Sequence, residues 1–125
     1  MAIVSKNQGN GVVNFFNRVI GDTTAFTVKV SEGWVSLDIT GFVFYLTIKS
    51  SPKLTDAQAE IQKEVTVHND PVNGITSFTI SPEDYASITP QRYYYDMQYT
   101  TNTGSVTTFQ RGTIDFIAEI TKSND

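Results

Sequence analysis

The stretch that decides the fold is Arg92-Tyr93-Tyr94-Tyr95-Asp96-Met97-Gln98-Tyr99. Successive side chains of a β-strand point to opposite faces, so a period of two divides this stretch into two sets. One face carries Tyr93, Tyr95, Met97 and Tyr99. The other face carries Arg92, Tyr94, Asp96 and Gln98. The pattern predicts a half-buried strand whose aromatic face lies in the middle of a core.

The composition favours a single domain and excludes several classes of partner. The chain has 125 residues, no cysteine and a formal net charge of −4. A chain of this length can bury about two thirds of its unfolded surface, so a core forms without disulfides. Its basic residues are scattered and do not form the cluster that nucleic-acid binding requires. No apolar run approaches the roughly 18 residues of a membrane span, and the N-terminus does not resemble a signal peptide. We expect a protein made in a reducing cytoplasm, with neither nucleic acid nor membrane as a partner.

Alternating runs recur along the whole chain, separated by turn signals. The predicted strands are Val12–Ile20, Thr24–Val30, Trp34–Ile39, Phe42–Lys49, Ile61–Val67, Ile75–Ile80, the tyrosine strand, Val106–Gln110 and Thr113–Thr121. Helical signals are limited to Leu54–Glu60, with Thr55 as N-cap, and to one turn after Ser81. Such a series predicts an all-β protein, a single immunoglobulin-like antiparallel β-sandwich of about seven to nine strands. We expect an arm over residues 1–11, the sandwich over 12–121 and a polar tail over 122–125.

The sequence offers no convincing catalytic or metal site. His68 is the only histidine, and we interpret it as an exposed residue at a strand end beside the Asn69–Gly74 turn. Asp38, Asp70 and Asp96 are the carboxylates that could converge on Ca²⁺, but their spacing does not resemble an EF-hand. We therefore predict no catalytic residue, no metal site and no cofactor.

Two aromatic residues fall outside the predicted core. Tyr94 lies on the outward face of its strand, and Trp34 follows a turn in a polar setting. Exposed Trp and Tyr are typical anchors of protein interfaces, although burial under a loop would also explain them. A carbohydrate-binding module is the alternative from another class, and it would need both rings exposed in one plane.

The order of the turn signals resembles that of a known group of domains. The signals are Gly21-Asp22-Thr23, Leu37-Asp38-Ile39-Thr40-Gly41, Asp70-Pro71-Val72-Asn73-Gly74, Phe78-Thr79-Ile80-Ser81, Pro90, Asp96, Gly104, Gly112 and Glu119-Ile120-Thr121. This succession, from Gly21 to Thr121, resembles the small immunoglobulin-like structural domains of tailed bacteriophages, including the N-terminal domain of upper baseplate proteins. The chain departs from them in one place: Gln91-Arg92 follows Pro90 where such domains often have glycine.

The resemblance implies a virion component that acts through protein–protein contacts and has no catalytic activity. It would be made in the host bacterial cytoplasm, and its partners would be other phage structural proteins of the tail, baseplate or capsid, together with symmetric copies of itself. A tail or baseplate adaptor is the favoured role, and a capsid decoration or head-fibre protein is the alternative. We expect Met1–Asn10 to be ordered by a neighbouring chain. The candidate partner contacts are Ile3, Val4, Val12, Trp34, Tyr94 and Arg92.

Overall fold

The computed structural model describes residues 4–5 and 13–118, which form nine strands and three short 3-10 turns. The strands are β1 (Val4–Ser5), β2 (Val13–Val19), β3 (Thr24–Glu32), β4 (Val35–Ser36), β5 (Val43–Lys49), β6 (Ile61–Val65), β7 (Ile75–Ile80), β8 (Gln91–Thr100) and β9 (Val106–Ile117). The 3-10 turns are Asp56–Gln58, Pro71–Asn73 and Pro82–Tyr85. None of the helical segments within these ranges is long and apolar enough to cross a membrane.

The strands form two sheets that enclose one core. The larger sheet has the order β2-β9-β8-β5-β6, and in the smaller sheet β3 pairs with β1, β4 and β7. Buried side chains of both sheets form one cluster, with Phe26 and Phe78 from the smaller sheet and Phe44 and Phe116 from the larger one. The predicted all-β sandwich is confirmed. Two strand pairings are parallel, β1 with β3 and β2 with β9. The sequence predicted only antiparallel pairing, so this part of the prediction is wrong.

The tyrosine strand is the central strand of the larger sheet, between β5 and β9. Its predicted alternation is confirmed, because Tyr93, Tyr95, Met97 and Tyr99 are buried, whereas the intervening side chains are exposed or half-buried. The same period also correctly predicts the buried residues of β3 and β7, and those of β5 except Thr47, which is buried on the opposite face. The strand therefore supplies much of the core, and only its second face is available to a partner.

The hydroxyl groups of the buried tyrosines differ in their hydrogen bonding. Tyr93 Oη accepts a hydrogen bond from the Thr89 backbone N–H at 3.0 Å and lies 3.2 Å from the Thr89 carbonyl, to which it donates. This is the tyrosine-corner arrangement of immunoglobulin-like sandwiches, a tyrosine bonded to backbone just upstream of its own strand. Within the described ranges, Tyr99 Oη is buried and has no hydrogen-bond partner.

This difference predicts opposite effects of the same substitution on one face of one strand. Tyr93→Phe should lower the free energy of unfolding by about 1–3 kcal/mol, because the Thr89 backbone loses its partner. Tyr99→Phe should leave the free energy unchanged or raise it, because it removes a buried hydroxyl that makes no bond. Urea unfolding of both variants tests the pair. Equal losses would show that the tyrosine corner contributes nothing specific.

Four expectations about secondary structure were wrong. The helix predicted over Leu54–Glu60 is only the 3-10 turn Asp56–Gln58, because the Gln58 side chain bonds back to the Thr55 N–H and the Glu60 N–H already pairs with Ile48 of β5. The strand predicted over Trp34–Ile39 is reduced to β4, because the Ile39 N–H pairs with Pro71 instead of a strand.

The two predicted closing strands are the single strand β9, which continues through Gly112. The strands predicted over Ile61–Val67 and Thr113–Thr121 are also too long, since β6 ends at Val65 and β9 ends at Ile117, and Val67 and Ala118 are exposed.

The N-terminal arm pairs partly with its own domain. Val4 and Ser5 lie in parallel register with Val30 and Ser31 of β3. The expectation that a neighbouring chain orders Met1–Asn10 is therefore wrong for this pair of residues, since their strand partner is β3 of the same chain. The remaining residues of the arm, the tail over 122–125 and the predicted domain limits at 11 and 121 lie outside the described residues.

Candidate interaction surfaces

His68 is not the exposed residue that the sequence suggested. Its ring is half-buried, with Nε2 2.8 Å from the Phe42 carbonyl and Nδ1 2.9 Å from Thr76 Oγ1. Because the carbonyl can only accept, Nε2 donates to it, and in the neutral ring Nδ1 accepts from the Thr76 hydroxyl. Phe42 precedes β5 of the larger sheet, and Thr76 belongs to β7 of the smaller sheet. His68 therefore links the two sheets.

The structure does not bring Asp38, Asp70 and Asp96 together. Asp38 Oδ1 accepts hydrogen bonds from the backbone N–H and the hydroxyl of Thr40, and these bonds lower the pKa of the Asp38 carboxyl. Asp70 accepts a bond of 2.9 Å from Asn73. Across residues 4–5 and 13–118, no three His, Cys, Asp or Glu side chains are grouped to hold a metal ion. Asp38 and Asp70 instead organise the turns in which they lie.

Asp84 stabilises the start of the last 3-10 turn. Its Oδ2 accepts a hydrogen bond of 2.8 Å from the Ser81 N–H and lies 2.7 Å from Lys63 Nζ. The hydrogen bond from Lys63 lowers the pKa of the Asp84 carboxyl below its usual value. A lowered pKa in the folded state means that ionisation stabilises the fold at pH values above the unfolded pKa, and that this contribution is lost as the pH falls through the folded pKa.

We therefore expect the effect of Asp84→Asn to depend on pH. At pH 7 it should lower the free energy of unfolding by about 1 kcal/mol, because a charge-assisted hydrogen bond is lost. At about pH 2 the difference from the wild type should be smaller, because the wild-type carboxyl becomes protonated as the pH falls through its folded pKa. Urea unfolding at both pH values measures this, with the exposed neighbour Glu83→Gln as the control. A difference that persists undiminished in acid would contradict the electrostatic explanation.

One surface that could hold a ligand is a groove of about 450 Å³ on the outward face of the larger sheet. We call it the outer groove, and its lining consists of Thr47, Lys49, Pro52, Tyr94, Tyr95, Asp96, Arg111, Gly112 and Thr113. The floor is built by strand register, since Thr47, Asp96 and Arg111 lie side by side on β5, β8 and β9. Lys49 Nζ donates to the Leu54 carbonyl at 2.9 Å, which holds the loop after β5 against this face.

Two predicted contact residues lie on this outward face. Tyr94 is 38% exposed and lines the outer groove, as expected for an outward position. Arg92 is exposed, and its Nε donates to Asp115 Oδ1 at 2.8 Å, a contact that raises the pKa of the Arg92 guanidinium. Arg92 is therefore already paired across β8 and β9, and a partner would have to compete with Asp115.

A second surface lies where several loops meet at one end of the sandwich. We call it the loop end and define it as the segments 31–42, 66–74 and 100–106. Backbone and side-chain hydrogen bonds join these segments: the Ile39 N–H donates to the Pro71 carbonyl at 2.9 Å, and Asn102 Nδ2 donates to the Thr40 carbonyl at 3.1 Å. The loop end is thus one cross-linked structure and not a set of independent loops.

The loop end collects exposed apolar side chains. Among the described residues, seven large apolar side chains are exposed, and five of them lie in this end. The five are Trp34, Val35, Val67, Val72 and Val106. Trp34 is fully exposed at the tip of the hairpin between β3 and β4. Most of the exposed large apolar side chains of the described residues therefore lie at one end of the sandwich, which makes the loop end a candidate interaction surface.

Trp34 and Tyr94 do not share a surface. Trp34 is at the loop end, on the smaller sheet, whereas Tyr94 pairs with Lys49 on the larger sheet. Lys49 is six residues along β5 from Val43, which is next to the loop end, so Tyr94 lies about 20 Å along the strand from that end. The two rings therefore do not form the single aromatic platform that a carbohydrate-binding module would need.

The remaining predicted contacts cannot be placed in a surface. Ile3 and Val12 lie outside the described residues, and the Val4 backbone pairs with β3. Sequence reasoning missed Val35, Val67, Val72 and Val106, because each is a single apolar residue beside a turn. Only strand register shows that they belong to one end of the molecule.

Comparisons with known proteins show what the fold resembles. A scan against protein-family models found no match, and a search of curated proteins found none. Among solved structures, the chain is similar to the N-terminal domain of phage TP901-1 ORF48. The TM-score is 0.54 with 15% sequence identity, and the similarity covers 94% of this chain and 94% of that one. The two chains therefore share a fold over nearly their whole length.

Proposed function

We propose that the protein is a non-enzymatic structural component of a tailed-phage virion, an adaptor in the tail or baseplate that acts through protein–protein contacts. The observation that carries this proposal is the similarity of fold to a phage protein's N-terminal domain over 94% of both chains. The order of turn signals from Gly21 to Thr121 independently resembles phage immunoglobulin-like domains, including those of upper baseplate proteins. Sequence and fold thus point to the same class.

The arrangement of the molecule suits such a role. Two sheets around one aromatic core give a rigid body, and the exposed apolar groups are concentrated in loops at one end. An adaptor needs this combination, because a rigid framework reduces the entropy that is lost when contact residues are ordered on binding. In a symmetric particle, repeated weak contacts of this kind add up to stable attachment.

The test is to find the protein in purified particles of the phage that encodes it. We expect mass spectrometry to detect it in separated tails, with a copy number that is a small multiple of the tail's rotational symmetry. Detection only in heads, with a copy number that follows the shell subunits, would establish the capsid alternative instead. Absence from complete particles would refute the proposed function.

A further inference from the structure

We propose that the loop end is the face that docks onto a partner protein, and that this partner offers an apolar pocket for Trp34 surrounded by Lys and Arg side chains. The inference rests on the proposed function and specifies the surface and the partner's chemistry. The five exposed apolar side chains of the loop end would contact the partner, with Trp34 as the anchor.

Trp34 has the properties of an anchor. It stands at the tip of the hairpin between β3 and β4, where the whole side chain is open to solvent. A tryptophan side chain can bury about 150–250 Å². Trp is enriched among the few residues that supply most of the binding energy, and these residues lie near the centre of an interface. Val35 next to it and Val72 in the Pro71–Asn73 turn are also exposed, so the same end of the sandwich offers further apolar side chains.

The loops that carry these side chains are already held in place. The Leu37 N–H donates to the Val30 carbonyl at 3.0 Å, and the Val30 N–H donates to the Gly74 carbonyl at 2.9 Å. Together with the bonds from Ile39 to Pro71 and from Asn102 to Thr40, these fix the hairpin against the two neighbouring loops. A surface that is ordered before binding loses little entropy in the complex.

The charge of the loop end defines the chemistry of the partner. Segments 31–42, 66–74 and 100–106 contain no Lys or Arg, and they contain Glu32, Asp38 and Asp70. The two hydrogen bonds from Thr40 hold the pKa of Asp38 low, so this carboxylate is ionised under ordinary conditions. An acidic rim around apolar groups complements a basic rim on the partner.

The same charges disfavour a second copy of this chain as the partner. A symmetric contact between two loop ends would bring the carboxylates of Glu32, Asp38 and Asp70 close to those of the other copy. The loops at the opposite end carry Asp22, Glu60 and Glu83 against one basic residue, Lys53, so charge does not favour a head-to-tail contact either. Basic residues on a partner complement these carboxylates, whereas a second copy brings like charges together.

The experiment uses phage particles that lack the gene and are supplied with the protein from a plasmid. We expect Trp34→Ala to lower the number of copies per particle at least about tenfold, and Glu32→Lys to lower it as well. The matched controls are Ile117→Ala, an exposed apolar residue at the other end of β9, and Glu64→Lys, an exposed acid on β6. Both controls should be incorporated within about twofold of the wild type.

A second measurement does not depend on incorporation of a variant. Trp34 is the only tryptophan, so its oxidation by hydroxyl radicals in wild-type particles and in the free protein reports directly on this surface. We expect at least about tenfold protection in the particle, as for a ring at the centre of an interface.

The outcomes separate the two proposals. If the wild-type protein is present in particles but Trp34 is not protected and Trp34→Ala is incorporated normally, the docking face is refuted and the proposed function stands. If Trp34→Ala is lost while Glu32→Lys is incorporated normally, the basic partner is refuted. A dimer of the free protein that sedimentation velocity detects and Trp34→Ala abolishes would assign the face to a second copy. Absence of the wild type from particles refutes the proposed function itself.

Discussion

Gly74→Ala is expected to lower the free energy of unfolding by more than about 3 kcal/mol. Gly74 has φ 74°, in the left-handed region, which costs a residue with a Cβ about 1–2 kcal/mol. A Cβ at this position would also lie 2.3 Å from the Val30 carbonyl oxygen and 2.7 Å from the Leu37 carbonyl oxygen. Both obstacles are backbone atoms, so the clash can be relieved only by moving β3 and the chain after β4 away from the turn.

Gly104→Ala is the matched control, because it separates the two costs. Gly104 has φ 89°, but a Cβ there would meet no atom within 4 Å. It should therefore lose only the conformational cost of about 1–2 kcal/mol. Urea unfolding of both variants gives the comparison, and equal losses would show that the contact between Gly74 and the two carbonyls is not important.

The parts of this fold that sequence predicts well are those set by local alternation. Ile75–Ile80 was predicted with the bounds observed for β7, and the buried faces of β3, β5 and β8 were predicted correctly. In each case, inward residues recur every second position in a strand of at least six residues. The pattern needs no knowledge of neighbouring strands, because each strand has one face toward the core.

The failures arise where a distant segment decides the local structure. Gly112 was interpreted as a break, but it lies opposite Tyr95 within β9, where a missing side chain is tolerated beside a large one. Val67 continues the alternation of β6, yet the strand ends at Val65 and Val67 is exposed. His68 finds its acceptor at Phe42, a residue far from it in sequence. Each of these results depends on pairing that the sequence does not contain.

Sequence predicts only part of the loop end, and the reason is the same. Trp34 was recognisable, because a large aromatic residue after a turn in a polar setting has no local reason to be buried. The other apolar residues of the loop end are valines beside turns that are well separated in sequence, and no single one of them indicates an interaction surface. Hydrogen bonds from Ile39 to Pro71 and from Asn102 to Thr40 bring those turns together. The partner surface is thus a property of topology and not of a motif.

The second large effect is expected for Phe44→Ala, which should lower the free energy of unfolding by about 3–5 kcal/mol. Phe44 is completely buried on β5, and its ring centroid lies 5.4 Å from that of Tyr99 and 5.7 Å from that of Phe109. His68 contacts the same ring edge-on at 5.3 Å. Truncation would leave a cavity between the two sheets and would also remove the packing partner of the histidine that links them.

Trp34→Ala is the control that makes this prediction specific to position, because it deletes a larger aromatic side chain. Trp34 is fully exposed, so its removal should change the free energy of unfolding by less than about 0.5 kcal/mol. If Phe44→Ala does not fold, Phe44→Leu, with an expected loss of about 1–1.5 kcal/mol, still tests the packing. A Trp34→Ala loss as large as that of Phe44→Ala would mean that Trp34 stabilises its own domain. The inference that this ring is kept exposed for a partner would then fail with it.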